Sequence, residues 1–132
     1  MATWDDVRRL ALALPETSEQ TSHGNPSWSV KDKGFIWERP LRRGDLEALG
    51  TSAPSGPILG VRVEHLVAKE ALLAAEPDVA FTTPHFNGYP AVLVQLDRID
   101  TQRLEELIEE AWLARAPAKL ARAYLSSRKA SQ

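Results

Sequence analysis

The tightest constraint on this chain lies near its C-terminal end. Leu104, Leu107, Ile108, Ala111 and Trp112 fall at i, i+3, i+4, i+7 and i+8, the spacing that gathers side chains on one face of an α-helix. Asp100 or Thr101 stands where a cap is needed. Glu105, Glu106, Glu109 and Glu110 read as the solvated face of the same helix. A stripe this wide must be buried against another element. The segment before it, Ala91 to Leu96, reads as a strand that stops at Asp97. Helix packed on sheet is therefore the unit from which the rest of the fold is read.

Two further helices follow from the same logic. Trp4, Val7, Ala11 and Leu14 repeat at helical spacing behind Thr3, with Asp6 in the first turn and Pro15 closing the element. This predicts a helix over Trp4–Ala13. The alanine- and leucine-rich stretch His65–Ala75 predicts a second, stopped by Pro77. Between them, Pro15 to Pro26 is polar and reads as turn. Trp28 and Val30 alternate with Ser27, Ser29 and Lys31 as a strand, Lys31–Gly34 turns, and Phe35–Glu38 resumes. Together these form a hairpin with a charged tip. Pro40 to Pro57 is irregular, with one helical turn over Asp45–Leu49. Ile58–Val63 and Val79–Thr83 read as strands, and Pro84 to Pro90 as a loop around the Asn87-Gly88 turn pair. Pro117 starts a short helix to about Leu125, and 126–132 is expected to fray. The fold class expected is α+β: one antiparallel sheet with the helices packed on one face, in a single domain over residues 1–125.

Composition removes several function classes. The chain has 132 residues, 43% hydrophobic and 26% charged, enough for a full core without staples. It has no cysteine, so disulfides and thiolate metal sites are excluded. Asp5, Asp6, Arg8 and Arg9 rule out an apolar signal core over Met1 to Leu14. No apolar run approaches the ~20 residues of a membrane span. A cytoplasmic chain with no membrane partner is expected. Net charge is -2, which argues against a DNA-coating role unless the cations are segregated. Arg115, Lys119, Arg122, Arg128 and Lys129 do give the C-terminal stretch a local excess.

Three sets of residues carry a resemblance. Leu14-Pro15-Glu16-Thr17, followed by His23-Gly24-Asn25-Pro26 and Trp28-Ser29-Val30, resembles the N-terminal signature of the MmcQ/YjbR-like family. Thr83 to Gly88 ahead of Ala91-Val92-Leu93-Val94 resembles the second signature. The Leu104–Trp112 helix with Ala116-Pro117 and Lys119-Leu120 resembles the C-terminal end. The resemblance covers most of the chain. It implies a CyaY-like or double-wing α+β fold and a DNA-binding role by analogy of fold. One departure stands out: Gly88 and Tyr89-Pro90 replace a longer, more basic stretch of the second loop, removing a positive charge.

No catalytic centre is legible. There is no cysteine and no serine in a Gly-x-Ser-x-Gly elbow. The histidines His23, His65 and His85 are far apart in sequence and form no His-x-x-x-His pair, so neither metal nor other cofactor is expected. The glycines form no phosphate-cradling motif. The reading is a non-enzymatic binding domain. Lys31, Lys33, Arg39, Arg42 and Arg43 cluster in the hairpin and the loop after it, and a basic wing can lie along phosphates. Weak, salt-sensitive nucleic-acid binding there is one expectation, with Trp28 and Trp37 as core residues or, if exposed, as stacking platforms. The alternative is a small-ligand or protein site made by the 21–26 and 84–90 loops, using Thr21, His23, Asn25, His85 and Asn87. That alternative requires the two loops to meet, with His23 or His85 in a polar network.

Overall fold

The structure, a computed structural model, describes residues 1–130. Its elements are α1 (Trp4–Leu12), β1 (Thr17–Ser22), β2 (Asn25–Val30), β3 (Lys33–Glu38), α2 (Arg43–Leu49), β4 (Ile58–Arg62), α3 (Leu66–Ala75), β5 (Ala80–Phe81), β6 (Ala91–Gln95), α4 (Thr101–Arg115) and α5 (Ala118–Ala130). The strands form one antiparallel sheet in the order β1-β2-β3-β4-β6-β5, so the expected α+β architecture holds.

Helix α1 opens on a full capping box. The Thr3 hydroxyl accepts from the Asp6 amide at 3.2 Å, and the Asp6 carboxylate accepts from the Thr3 amide at 2.9 Å. Helix α4 starts on Asp100, whose carboxylate accepts from the Arg103 amide at 2.7 Å. It buries the whole expected stripe of Leu104, Leu107, Ile108, Ala111 and Trp112 against β3 and β4. Val92, Val94 and Leu96 are buried opposite, also as expected. Trp112 satisfies its indole N–H by donating to the Pro15 carbonyl at 3.0 Å. His65 is a helix cap: its Nδ1 accepts from the Ala68 amide at 3.0 Å, so the helix expected from His65 begins at Leu66.

The largest revision concerns Pro15 to Pro26, expected as turn. It forms β1 and the start of β2, joined by His23-Gly24 alone. Both turn residues have positive φ, 53° and 81°, the mirror-image turn whose twist suits a tight hairpin. Alternation failed as a signal because β1 is an edge strand, exposed along nearly its whole length. Its backbone ladder, not apolar burial, makes it a strand. The next hairpin tightens likewise: Lys31 and Asp32 turn at φ 48° and 68°, and Lys33 and Gly34 already belong to β3.

Strand β3 also explains a run that alternation cannot. Trp28 opposes Ile36 and Ser29 opposes Gly34, leaving Phe35 without a partner. This β-bulge turns both Phe35 and Ile36 into the same core, while Trp37 points to the other face.

Smaller revisions follow packing. The single turn over Asp45–Leu49 is a seven-residue helix from Arg43. The strand expected over Val79–Thr83 shortens to Ala80–Phe81, and the 84–90 loop begins with a 3₁₀ turn over Pro84–Phe86. Past Leu125 the helix runs on to Ala130, with Arg128 paired to Glu109. Residues 131 and 132 of the expected tail lie outside the described residues.

Helices α1, α3 and α4 pack into or line the main core on one face of the sheet. Because successive strand residues face opposite ways, Ile58, Gly60 and Leu93 point to the second face. There Ile58 and Leu93 meet Phe86, Trp37, Leu41 and Phe81 in a smaller cluster. No helix among the described residues is long and apolar enough to cross a membrane.

Two measurements check this packing. Leu107→Ala, at a site 2% exposed, should cost about 2–5 kcal/mol in urea unfolding, whereas Val67→Ala, 71% exposed, should stay within about 0.5 kcal/mol. Equal effects would show that α4 is not the core helix. The second reads α5. Its Tyr124 packs on Trp112 with centroids 5.0 Å apart and the rings tilted by 59°, and donates to Glu109 at 2.6 Å. Burial, reinforced by the Glu109 carboxylate, pushes the phenol up to about 12. The folded state thus favours the protonated phenol. Stability from this contact is complete below the ordinary value of 10.0 and is lost as pH rises towards about 12. Tyr124→Phe should flatten that alkaline loss in pH-dependent unfolding curves.

Candidate functional site

Antiparallel pairing fixes which loops can meet. The β1–β2 turn lies at the end of the sheet where β3 finishes, so His23 and Gly24 stand beside Glu38, Arg39 and Pro40. The 3₁₀ turn Pro84–Phe86 roofs the second face at the same end. A cleft of about 380 Å³ opens between them. His23, Asn25, Arg42 and His85 supply its polar wall, with Ser22 and Glu38 beside them, and Trp37 and Phe86 its floor. The two segments singled out in sequence, some sixty residues apart, therefore converge on one site.

The floor is fixed by close packing. Trp37 pairs across the sheet with Gly60, and its indole lies directly on that glycine. A Cβ there would stand 2.4 Å from Cε2 and 2.6 Å from Nε1, inside any tolerable contact, so glycine is required by the ring's position. Phe86 sits 6.5 Å from Trp37, centroid to centroid, and His85 meets Phe86 edge-on at 4.9 Å and 80°.

Arg39, which also lines the cleft, is held in a buried ion pair. Arg39 Nη2 lies 3.0 Å from Asp45 Oδ2, with both side chains 5–6% exposed. The guanidinium also donates to the Pro40 carbonyl and sits 5.2 Å over the Phe86 ring. Asp45 in turn accepts from the Arg42 amide at 2.9 Å. Burial pushes the Asp45 carboxyl up, but the Arg42 amide and the Arg39 guanidinium outweigh it and hold it below its usual value. Arg39 is therefore a strut, committed inside the protein.

A second buried cation braces the same loop from behind. Lys69 on α3 is 6% exposed and donates to the carbonyls of Phe86 at 2.7 Å and Tyr89 at 2.9 Å. Sequence reasoning passed over it. The available signal was a lone lysine at helical spacing from Leu72 and Leu73 in an otherwise Ala/Leu-rich helix. Phe86 and Asp45 likewise carry no signal in the sequence that marks them as site residues.

The remaining candidates separate. Thr21 lies exposed on β1, outside the cleft lining, and Asn87 faces a different hollow beside Lys69. Neither His23 nor His85 has its ring in a polar network among the described residues: His85 rests on an aromatic edge, and His23 accepts from Asn25 through its backbone carbonyl, at 3.3 Å. The expected basic cluster is divided. Lys31 and Lys33 sit at the hairpin tip, Lys31 paired with Glu16 at 3.5 Å. Arg42 and Arg43 sit beyond the other end of β3, Arg43 paired with Glu47 at 3.3 Å. Five strand steps separate the ends by about 17 Å, twice the screening length of ~8 Å, and Arg39 is buried. The two pairs of cations therefore stand at opposite ends of β3. Trp28 is core, 1% exposed, with its N–H on Glu19 at 3.0 Å.

A larger groove of about 700 Å³ runs between α3 and α4. Its walls are mostly Ala, Leu and Val, and its two guanidiniums are already engaged: Arg103 is bidentate on Glu76 at 2.6–3.0 Å and Arg62 donates to the Tyr89 hydroxyl at 2.9 Å. No cluster of three metal-ligating residues occurs among the described residues. The His23–His85 cleft is thus the site with converging polar groups.

Residues 12–114 match the YjbR family. Two uncharacterised proteins, Rv2570 of Mycobacterium tuberculosis (strain H37Rv) and Mb2600 of Mycobacterium bovis, are each 55% identical over 130 residues, covering 96% of this chain and 98% of theirs. The crystal structure of the Deinococcus radiodurans protein DR2400, a DUF419 domain, is similar with a TM-score of 0.63 and 22% identity, covering 86% of this chain and 78% of that one. That last likeness is one of fold.

The floor geometry yields a prediction. Gly60→Ala should destabilise by about 1–3 kcal/mol, because the ring must move. In a Trp37→Ala background the same change should cost little, a coupling visible in a double-mutant cycle. Additive effects would mean that the ring does not rest on Gly60.

Proposed function

This chain belongs to the YjbR family, and on that premise we propose that it is a non-enzymatic cytoplasmic binding domain whose His23–His85 cleft holds a small, flat, anion-bearing ligand. The carrying observation is the convergence of two imidazoles, the Asn25 amide and the Arg42 guanidinium over the Trp37–Phe86 floor. Aromatic rings favour a flat partner. A guanidinium and ring N–H groups favour a carboxylate or phosphate. Glu38 on the same wall sets a limit on ligand charge and favours one that also carries a hydrogen-bond donor. The volume lies within the usual range for small-molecule sites.

Recognition is favoured over catalysis because neither imidazole is oriented by a carboxylate among the described residues, the support a general base needs. A duplex-binding reading would have to rely on Arg42 and Arg43 without the hairpin lysines, since the length of β3 lies between them. The net charge of -2 opposes it as well.

The test is a thermal-shift panel of aromatic carboxylates and mononucleotides. At ~100 times its dissociation constant a true ligand stabilises by about 2.7 kcal/mol. That shift should vanish in Arg42→Ala and His85→Ala and persist in Lys31→Ala/Lys33→Ala. A labelled duplex followed by anisotropy at low salt supplies the opposite arm: tight binding that is lost with Lys31 and Lys33 would overturn the cleft assignment.

A further inference from the structure

Lys69 is an incompletely satisfied cation. Its ammonium is enclosed by α3 and the 84–90 loop, and both of its hydrogen bonds run to neutral backbone carbonyls. No carboxylate among the described residues lies within ion-pair distance of it. An ammonium carries three donors, so one is left over. An unneutralised charge at this depth is also costly. Arg39, at the same burial on the other side of the loop, has its carboxylate in Asp45.

Next to Lys69 is a hollow of about 210 Å³, bounded also by Thr82, Asn87 and Gly88, with Leu66 and Leu73 as its apolar side. The Thr82 hydroxyl is buried and has no hydrogen-bond partner, although such groups in folded proteins nearly always find one. A spare ammonium donor, an orphaned hydroxyl and an amide side chain therefore border one small space. We propose that this hollow is an anion site, in which a small carboxylate or phosphate is held by Lys69 with Thr82 and Asn87. The ligand supplies the counter-charge that the chain does not. Glu70 also lines the hollow, which favours a single charge over a multiply charged anion. Burial alone depresses Lys69 below the usual lysine value, and an anion in the hollow would oppose that depression.

The site is separate from the His23–His85 cleft and does not depend on the reading of it: Lys69 holds the loop's carbonyls from one side, and His85 lies on the other. The experiment compares thermal unfolding of the full chain in sodium acetate, sodium phosphate and sodium chloride at constant ionic strength, pH 7. A saturable rise in Tm with acetate or phosphate over chloride is expected. Thr82→Val is the decisive variant. Because the hydroxyl has no partner in the free protein, the change should leave the chloride Tm unchanged or slightly higher, yet weaken the anion response by about tenfold, the loss of one hydrogen bond to a charged group. Lys69→Met should abolish the response, and His85→Ala should leave it intact. Indistinguishable Tm values in the three salts, or a response untouched by both Thr82→Val and Lys69→Met, would overturn the proposal.

Discussion

Burial of strand β4 on both faces is the constraint from which the rest of the molecule follows. Ile58 and Leu59 are at most 3% exposed, Val61 is 1% exposed, and Gly60 between them is buried as well. A two-sided strand at the centre of the sheet demands two roofs. The helices provide one, through Leu107, Ile108 and Trp112. Among the described residues no long helix covers the other. That face is closed by pieces: the Trp37 indole on Gly60, the Phe86 ring from a 3₁₀ turn, and Leu41 from the segment before α2. A roof assembled from loops leaves a gap where they meet, and the candidate cleft is that gap.

Holding such a roof in place takes polar anchoring, because the second cluster is small. The two buried cations serve that purpose from opposite sides. Arg39 ties the end of β3 to the start of α2 through Asp45 and supports Phe86 from below. Lys69 ties α3 to both ends of the segment Phe86 to Tyr89. Their energetics differ. The arginine pair is mutually neutralised and geometrically complete, whereas the lysine is solvated only by dipoles. That asymmetry, between two equally buried cations bracing one loop, separates a structural strut from a site with a valence still open.

Charge placement also decides what the surface can attract. A hairpin with lysines at its tip and arginines shortly after looks in one dimension like a single basic patch. In three dimensions β3 carries the chain across the sheet between them, and ion pairs with Glu16, Asp45 and Glu47 take up Lys31, Arg39 and Arg43. Of the five, Arg39 and Arg42 reach the cleft, and Arg39 is already committed to Asp45.

The sequence by itself determined the helices and the main core. Wide apolar stripes such as Leu104 to Trp112, and the Thr3–Asp6 cap, encode local geometry through side-chain spacing, and spacing survives in one dimension. It also marked His23, Asn25 and His85, through the resemblance of their two loops to the family's signatures. It could not reveal β1, whose strand character comes from a backbone ladder to β2 and not from its own side chains, nor the bulge at Phe35, which exists only relative to a partner strand. It misjudged Arg39 and overlooked Lys69 because a cation's role depends on what is folded over it. Helix positions are properties of neighbours three and four residues apart. Burial of a charge, the meeting of residues 23 and 85, and the separation of residues 33 and 42 are properties of strand pairing, and only the tertiary structure could decide them.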